Sequence, residues 1–409
     1  MTYDAIVVGA GPAGSTAARL LAGEGASVLL LDRSRFPRDK PCGGAVTLRA
    51  AAAQDLDLAL VSERTVYGAR FTLRLGPSFE RRFVEPLTYM TRRCRLDAFL
   101  AQAAAEAGAD FHDGEPVCAV EAGDDGVVVR TGAGSYRGRL LIGADGANGV
   151  VGRAAGICPR FEEAVALEGN IVFSADIPAE WREVMGFDLG GLAGGYGWVF
   201  PKGDHLSVGV GAWKYAAFTL RPKLAELCRR YGFAPEAMTG LRGHRVPVWL
   251  SGSPVARGPV ALVGDAAGLV DPLSGEGIHM AFASARLAAR TTLRYLAGQE
   301  PDLSAYQRAV EQQLQPELVV SRQLHELFHF APPPYVALMR RSEKFWRLFC
   351  HLIRGEMTYL DLMRIIGPLR LAVGFFAGSA QRRRLSRVTT AKRGISDAWG
   401  GVSTRPYSS

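Results

Sequence analysis

The feature that most constrains this chain is Gly9-Ala10-Gly11-Pro12-Ala13-Gly14, which follows at once on the apolar, β-branched run 3–8. Such a run suits a buried parallel strand. Residues 17–22 then have the composition of a helix, and 27–31 that of a second strand ending on Asp32. Each glycine has a task in such a strand–turn–helix unit. Gly9 makes the tight turn, Gly11 lets the backbone approach a pyrophosphate, and Gly14 lets helix and strand pack closely. The helix N-terminus offers free N–H groups and a positive dipole end to the phosphates, with Pro12 and Ala13 among the residues expected to contact the cofactor. Asp32 is placed to accept hydrogen bonds from ribose hydroxyls, and an acid there disfavours the 2′-phosphate of NADP. The unit predicts a site for the ADP half of a dinucleotide, with FAD and NAD both fitting.

At 409 residues the chain is too long for one ordinary core. Its net charge of +8 is unevenly spread, and the stretch 381–393 carries Arg382, Arg383, Arg384, Arg387, Lys392 and Arg393 without an acid. That stretch suits either a solvated tail or peripheral contact with an anionic membrane surface. No nucleic-acid motif accompanies it, so nucleic acid is not an expected partner. The six cysteines are scattered without paired spacing. This argues against a zinc site or a disulfide framework and for a reducing, cytoplasmic compartment. The amino-terminal run is short and interrupted by Asp4 and the glycines, unlike a signal peptide. No run reaches the roughly 20 apolar residues that span a bilayer.

Two later segments narrow the dinucleotide. Leu140-Leu141-Ile142-Gly143-Ala144-Asp145-Gly146 and Val260-Ala261-Leu262-Val263-Gly264-Asp265 are apolar strands breaking into Gly/Asp turns. Each delivers an acid to its C-terminal edge, where ligands of open α/β sheets bind. After the second come Pro272, Gly275, Gly277 and Ile278, then an alanine-rich helix over 279–296. A glycine turn at a helix start offers N–H groups and a positive dipole end to the electron-rich pyrimidine edge of a reduced flavin.

In that order, Gly9/Gly11/Gly14, Gly143-Ala144-Asp145-Gly146 and Gly264-Asp265 resemble the three fingerprints of the FAD-dependent group that includes the aromatic hydroxylases. The resemblance spans residues 1 to about 300 and implies FAD as the cofactor. It implies that Asp265 holds the ribityl or pyrophosphate region, that Asp145 braces the nucleotide site, and that 272–277 lies against the isoalloxazine. Arg93, in Arg93-Cys94-Arg95-Leu96-Asp97, is similar to the group's FAD-contacting arginine at a helix start. Within the group, Lys40-Pro41-Cys42-Gly43-Gly44-Ala45 resembles the geranylgeranyl reductase family, whose members reduce isoprenoid double bonds. Tyr196-Gly197-Trp198-Val199-Phe200-Pro201 resembles that family's substrate-cavity motif P-x-x-Y-x-W-x-F-P, with Ala193 in place of the first proline. Flavin halogenases carry a similar W-x-W-x-I-P motif, but Tyr196 and Phe200 stand where they have Trp and Ile.

The residues themselves agree with this resemblance. Tyr196, Trp198 and Phe200 alternate along one strand and so point to one face, where they would wall an apolar chain. Cys42 adjoins two glycines, so its backbone can approach the flavin. Its thiol suits either proton donation or the role of a small buried hydrophobe. The cations from Arg33 to Lys40 suit the FAD phosphates or a diphosphate on the substrate. Cys42 and Tyr196 are the candidate acids for an alkene reduction, which needs a positioned proton donor.

The expected architecture is α/β. A discontinuous Rossmann-like FAD-binding domain (1–65, 91–160, 251–330) combines with a strand-rich α+β substrate domain (66–90, 161–250) and a helical C-terminal region (331–409). Ala331-Pro332-Pro333-Pro334 breaks the helical stretch 303–330. Beyond it, Phe345, Trp346, Phe349, Leu352 and Ile353 follow helical spacing, which fits core packing, a lid on a lipid tunnel or a membrane-facing surface. No second glycine-rich βαβ unit is visible, so the electron donor, NAD(P)H or a carrier protein, has no domain of its own here. The expected reaction is hydride transfer from reduced FAD to a prenyl double bond of a small molecule or lipid. A monooxygenase would instead add oxygen, a membrane-associated electron carrier would turn over no alkene, and a halogenase needs a lysine between flavin and cavity that the sequence does not place.

Overall fold

A computed structural model describes the backbone of residues 2–123 and 125–399 and side chains as far as residue 386. In the first sheet the strand order is Ala256–Arg257, Val260–Leu262, Ser135–Gly143, Thr2–Val8, Val28–Leu31, Asp110–His112. All neighbours from Val260–Leu262 onward are parallel. Their side chains, among them Ile6, Leu29, Leu30, Leu141 and Ile142, are wholly buried, as parallel strands require. The helix Pro12–Gly23 packs beside them, flanked by Arg93–Glu106 and Ile278–Leu296.

The second sheet has seven strands in the order Thr239–Trp249, Phe161–Val172, His205–Trp213, Gly195–Pro201, Val184–Leu192, Gly68–Leu73, Phe79–Arg82. Its pairs are antiparallel except Val184–Leu192 with Gly68–Leu73. A third, small sheet was not expected: Thr88–Met90 pairs with both Ala45–Thr47 and Arg64–Val66. It anchors the chain immediately after Cys42-Gly43-Gly44.

The C-terminal region is helical: Ser304–Gln313, Gln315–Phe330, Pro332–Arg341, Glu343–Arg354, Tyr359–Ile365 and Arg370–Trp399. The proline run breaks the helix at Ala331 and then starts the next one, since a first-turn proline lacks only an N–H that would have no helical partner. The class is therefore the expected one, a Rossmann-like α/β unit with a strand-rich α+β layer and a helical C-terminal region. Among the described residues no helix is long and apolar enough to cross a membrane.

The basic stretch does not behave uniformly. Arg382 and Arg383 are exposed, but Arg384 is sequestered between Glu326, with an Nη2–Oε1 distance of 2.8 Å, and Glu162. The guanidinium also lies 4.9 Å from the Trp213 ring centroid. A solvated tail is thus not what holds Arg384. The side chains of Arg387, Lys392 and Arg393 lie outside the described residues.

Candidate active site

At one end of the site, in the first strand–helix turn, Gly9 and Gly14 are sterically required. Gly9 has φ +102°, and a Cβ there would strike the Ala144 carbonyl. At Gly14 a Cβ would lie 1.8 Å from the Gly9 oxygen, so only glycine lets the helix sit on the turn. Gly11 differs: a Cβ there would meet only Arg38 Nη2 at 3.6 Å and Arg93 Nη2 at 3.8 Å. Space and positive charge therefore stand over the helix N-terminus at Pro12 and Ala13. Arg93 forms a two-pronged pair with buried Asp97, both contacts at 2.8 Å, and Arg38 reaches the same carboxylate at 2.7 Å. Burial opposes the Arg93 charge, but Asp97 more than offsets it and raises the pKa. Arg38 also lies 3.7 Å from Asp32, so the charges of this cluster balance, and what suits a pyrophosphate is the pair of guanidinium ends standing beside Gly11. Arg33, by contrast, is exposed. Asp32 accepts from Ala10 N at 2.8 Å and Ser34 N at 2.9 Å, fixing its carboxylate at the strand end.

The two later acids differ. Asp145 accepts from Val150 N at 2.6 Å and Val151 N at 3.0 Å, so its carboxylate is turned to its own loop, with Oδ1 buried and unpartnered. Asp265 faces Lys40 at 3.3 Å. Burial alone would raise its pKa, but Lys40 and Arg93 hold it below the usual carboxylate range. Gly264 precedes it with a left-handed backbone, and Gly277 lies 3.0 Å, by its missing Cβ, from the Asp265 carboxylate. The Pro272–Gly277 turn thereby meets the Asp265 turn, with Ile278 starting the following helix.

Between this end and the second sheet lies a cavity of about 500 Å³, within the range of small-molecule sites. One wall is Cys42, Gly43, Gly44, Ala45 and the 272–278 turn; another is Tyr196, Trp198, Phe200 and Phe187. Phe187 T-stacks on Tyr196 at 5.7 Å and on Phe200 at 5.6 Å. Phe345, Phe349, Leu352 and Ile353 of the C-terminal helices line the cavity too. Trp346 shares that face, stacked on Phe349 at 5.6 Å, but is wholly buried as core and donates to Arg82 O at 2.9 Å. That helix therefore serves both as core and as roof. Pro201 is the exception among the aromatic-motif residues. One residue beyond Phe200, it falls on the opposite face of the strand and is not a wall of the cavity.

Several polar groups here escaped sequence reasoning. Lys202 is buried and donates to Gly43 O at 2.7 Å and Gly44 O at 3.1 Å. It pins the Cys42 loop to the aromatic strand. Burial pushes its pKa down to about 8, with Glu63 and Glu168 among the opposing influences. Burial likewise pushes Glu168 up to about 7, although the Cys42 backbone N–H stabilises its charge. Lys202→Met should leave the Gly43 carbonyl without its Lys202 partner, Gly44 O keeping Thr91 N at 2.8 Å, and cost about 1–3 kcal/mol, measurable by urea denaturation. Trp198 Nε1 and His244 Nδ1 are buried without partners beside the same loop.

Glu276 matters most. It lies between Gly275 and Gly277, is half-buried and faces the cavity; burial lifts its pKa to about 7. The Thr47 hydroxyl is 2.7 Å from its Oε1. Tyr196 instead donates its phenolic proton to Ser274 O at 2.6 Å, and burial raises its pKa. Cys42 Sγ accepts from Gly44 N at 3.4 Å. A glutamate inside a glycine turn gives only one sequence signal, an acid where a small residue would complete the turn.

The residues fit FAD: the glycine cradle has space over Gly11 with two guanidiniums above it, and unpartnered donors face the cavity. A family model described as FAD binding domain matches residues 2–191. Digeranylgeranylglycerophospholipid reductase 1 of Methanopyrus kandleri is 31% identical over 363 residues, covering 80% of this chain and 91% of that protein. Geranylgeranyl diphosphate reductase of Rhodobacter capsulatus is 33% identical over 318 residues, 74% of this chain and 78% of that one. A solved geranylgeranyl bacteriochlorophyll reductase-like protein from Thermoplasma acidophilum superposes with TM-score 0.72 at 25% identity, over 89% of this chain and 98% of that one. A flavin-dependent brominase superposes with TM-score 0.68 over 87% of this chain and 94% of that one, but at 20% identity this is a likeness of fold alone. Fold and site together define an FAD-dependent oxidoreductase. The chain belongs to the geranylgeranyl reductase family.

Proposed function

We propose that this protein reduces carbon–carbon double bonds in a prenyl chain of the geranylgeranyl type. The observation that carries the reading is the cavity. It opens on the loops expected to bound the flavin, is walled by aromatics and is roofed by apolar helices. A branched hydrocarbon fits such a space, whose walls are mostly apolar. The names of the relatives, reductases of geranylgeranyl diphosphate and of digeranylgeranylglycerophospholipid, support the same class.

When bound and reduced, FAD supplies the hydride. The chain's own residues do the rest. Gly11, Arg38 and Arg93 hold the pyrophosphate, Asp32 the ribose, and Asp265 the ribityl region. Tyr196, Trp198, Phe200 and Phe187 orient the prenyl chain and exclude water. Glu276 holds a proton on its carboxyl in the cavity and delivers it to the second alkene carbon. Tyr196 is poorly suited to that task because its proton is committed to Ser274. Lys202 bears on the halogenase alternative, since both of its recorded carbonyl contacts draw its ammonium behind the Cys42 loop and away from the cavity.

The test is to reduce the holoprotein, remove the excess dithionite, incubate it with geranylgeraniol or a geranylgeranylated lipid both without and with O2, and weigh the product. A gain of two hydrogens per bond is expected. A gain of oxygen would establish a monooxygenase, and flavin cycling without product would establish a carrier.

A further inference from the structure

Between Asp361 and Asp397 the chain carries no acidic residue, while Arg364, Arg370, Arg382, Arg383 and Arg384 fall within the described side chains. The same stretch exposes large apolar groups: Leu369 is 68% exposed, Leu371 76%, Phe375 68% and Phe376 59%. The geometry of the last helix, Arg370–Trp399, separates two sides. With 3.6 residues per turn, Ala377, Ala380 and Arg384 fall on one side. There the alanines are buried and Arg384 pairs with Glu326 of the helix Gln315–Phe330. Leu371, Phe375 and Arg382 fall together on the other side, with Phe376 and Arg383 next to them. Arg383 lies over the ring of Phe330, itself 56% exposed. The outward side therefore combines aromatics, leucine and cations, the composition of a helix lying in a membrane interface.

The surface is also tied to the cavity. The preceding helix, Tyr359–Ile365, lines the cavity with Tyr359 and Leu362 and turns Ile365 outward. Glu317 fastens that helix by accepting from Tyr359 N at 2.8 Å and Leu360 N at 3.0 Å. One structural layer thus has the cavity on one side and the exposed apolar segment on the other.

We propose that segment 364–383 is the face by which this protein lies on an anionic lipid bilayer. Leu369, Leu371, Phe375 and Phe376 enter the acyl boundary, and Arg370, Arg382 and Arg383 sit at phosphate level. A second copy of the chain is a poorer occupant, because a two-fold pairing of identical patches sets the same cations against one another without an acid to receive them. The inference does not require the substrate assignment, although a prenyl lipid would reach the cavity from this side.

The experiment is co-sedimentation of the full-length holoprotein with phosphatidylcholine vesicles, with and without about 30% phosphatidylglycerol, at low and high salt. Sedimentation with the anionic vesicles, lost at high salt, is expected. Each arginine contributes about fivefold near such a surface, so Arg382→Gln/Arg383→Gln should weaken binding more than tenfold. Phe375→Ser/Phe376→Ser should do so as well, with unchanged flavin absorbance and unchanged reduction of detergent-dispersed geranylgeraniol. Absence of binding, equal binding to neutral vesicles, or unaltered binding by both double variants would overturn the proposal. So would light scattering that shows a dimer lost in Phe375→Ser/Phe376→Ser. The sedimentation needs no turnover, so a protein that bound vesicles but reduced no prenyl chain would sink the proposed function and leave this surface standing.

Discussion

Glu276→Gln is expected to slow reduction of a prenyl double bond by about 10²-fold or more, the usual contribution of a positioned acid, while FAD stays bound. Glutamine keeps the shape and a partner for the Thr47 hydroxyl but cannot give up a proton. The pH profile separates this from mere distortion. The acid acts only when protonated, and burial raises its pKa from the ordinary 4.5 to about 7. Wild-type single-turnover rates should therefore be flat below about 7 and fall as pH rises through it. In Glu276→Gln that descending limb should vanish. Tyr196→Phe should keep the limb, because the phenol already donates to Ser274 O. Stability follows the same linkage. The native carboxyl binds its proton more tightly than the unfolded one, so its contribution is complete below 4.5 and is lost as pH rises through about 7. A wild-type rate with no limb near 7, or a Glu276→Gln rate equal to wild type, would remove Glu276 from the mechanism.

What the sequence revealed and what it hid follow from chain separation. Gly9, Gly11, Gly14 and Asp32 lie within one strand–helix–strand unit, so local geometry makes their arrangement readable before any tertiary contact is known. The Tyr196, Trp198 and Phe200 wall was readable for a similar reason: strand alternation alone puts the three on one face. Pro201 breaks from the set under that same rule. Other groups act through contacts between distant segments. Lys202 meets Gly43 across 159 positions, and Thr47 meets Glu276 across 229. Arg384 meets Glu162 across 222. Those meetings depend on how the second sheet and the C-terminal helices sit against the first sheet. Along the chain, Glu168 is an ordinary polar residue in a strand, and Arg384 is one cation in a basic run. Only the folded arrangement makes one a carboxyl beside the Cys42 loop and the other a buried clasp.

Two alanine substitutions three residues apart should fail in different ways, and the contrast tests the nucleotide site directly. Gly14→Ala places a Cβ 1.8 Å from the Gly9 carbonyl and 3.0 Å from Ala144 Cβ. One obstacle is the turn's own backbone and the other is the residue after the neighbouring strand Ser135–Gly143, neither a flexible side-chain end, so the helix Pro12–Gly23 must move off the sheet. Overpacking of this kind costs about 1–3 kcal/mol or more, and the apoprotein should melt earlier and purify without yellow colour. Gly11→Ala is different. Its backbone, at φ −78°, is open to any residue, and the nearest groups are flexible guanidinium ends at 3.6 and 3.8 Å. The apoprotein should therefore melt as the wild type does. Yet the new methyl would stand where the pyrophosphate comes closest to the backbone, so FAD affinity should fall about 100-fold, or about 2.8 kcal/mol. Titration of apoprotein with FAD by flavin fluorescence, beside thermal melts of the apo forms, separates the two effects. If Gly11→Ala bound FAD as tightly as wild type, the pyrophosphate would not lie over Gly11, and Arg38 and Arg93 would have to be assigned another partner.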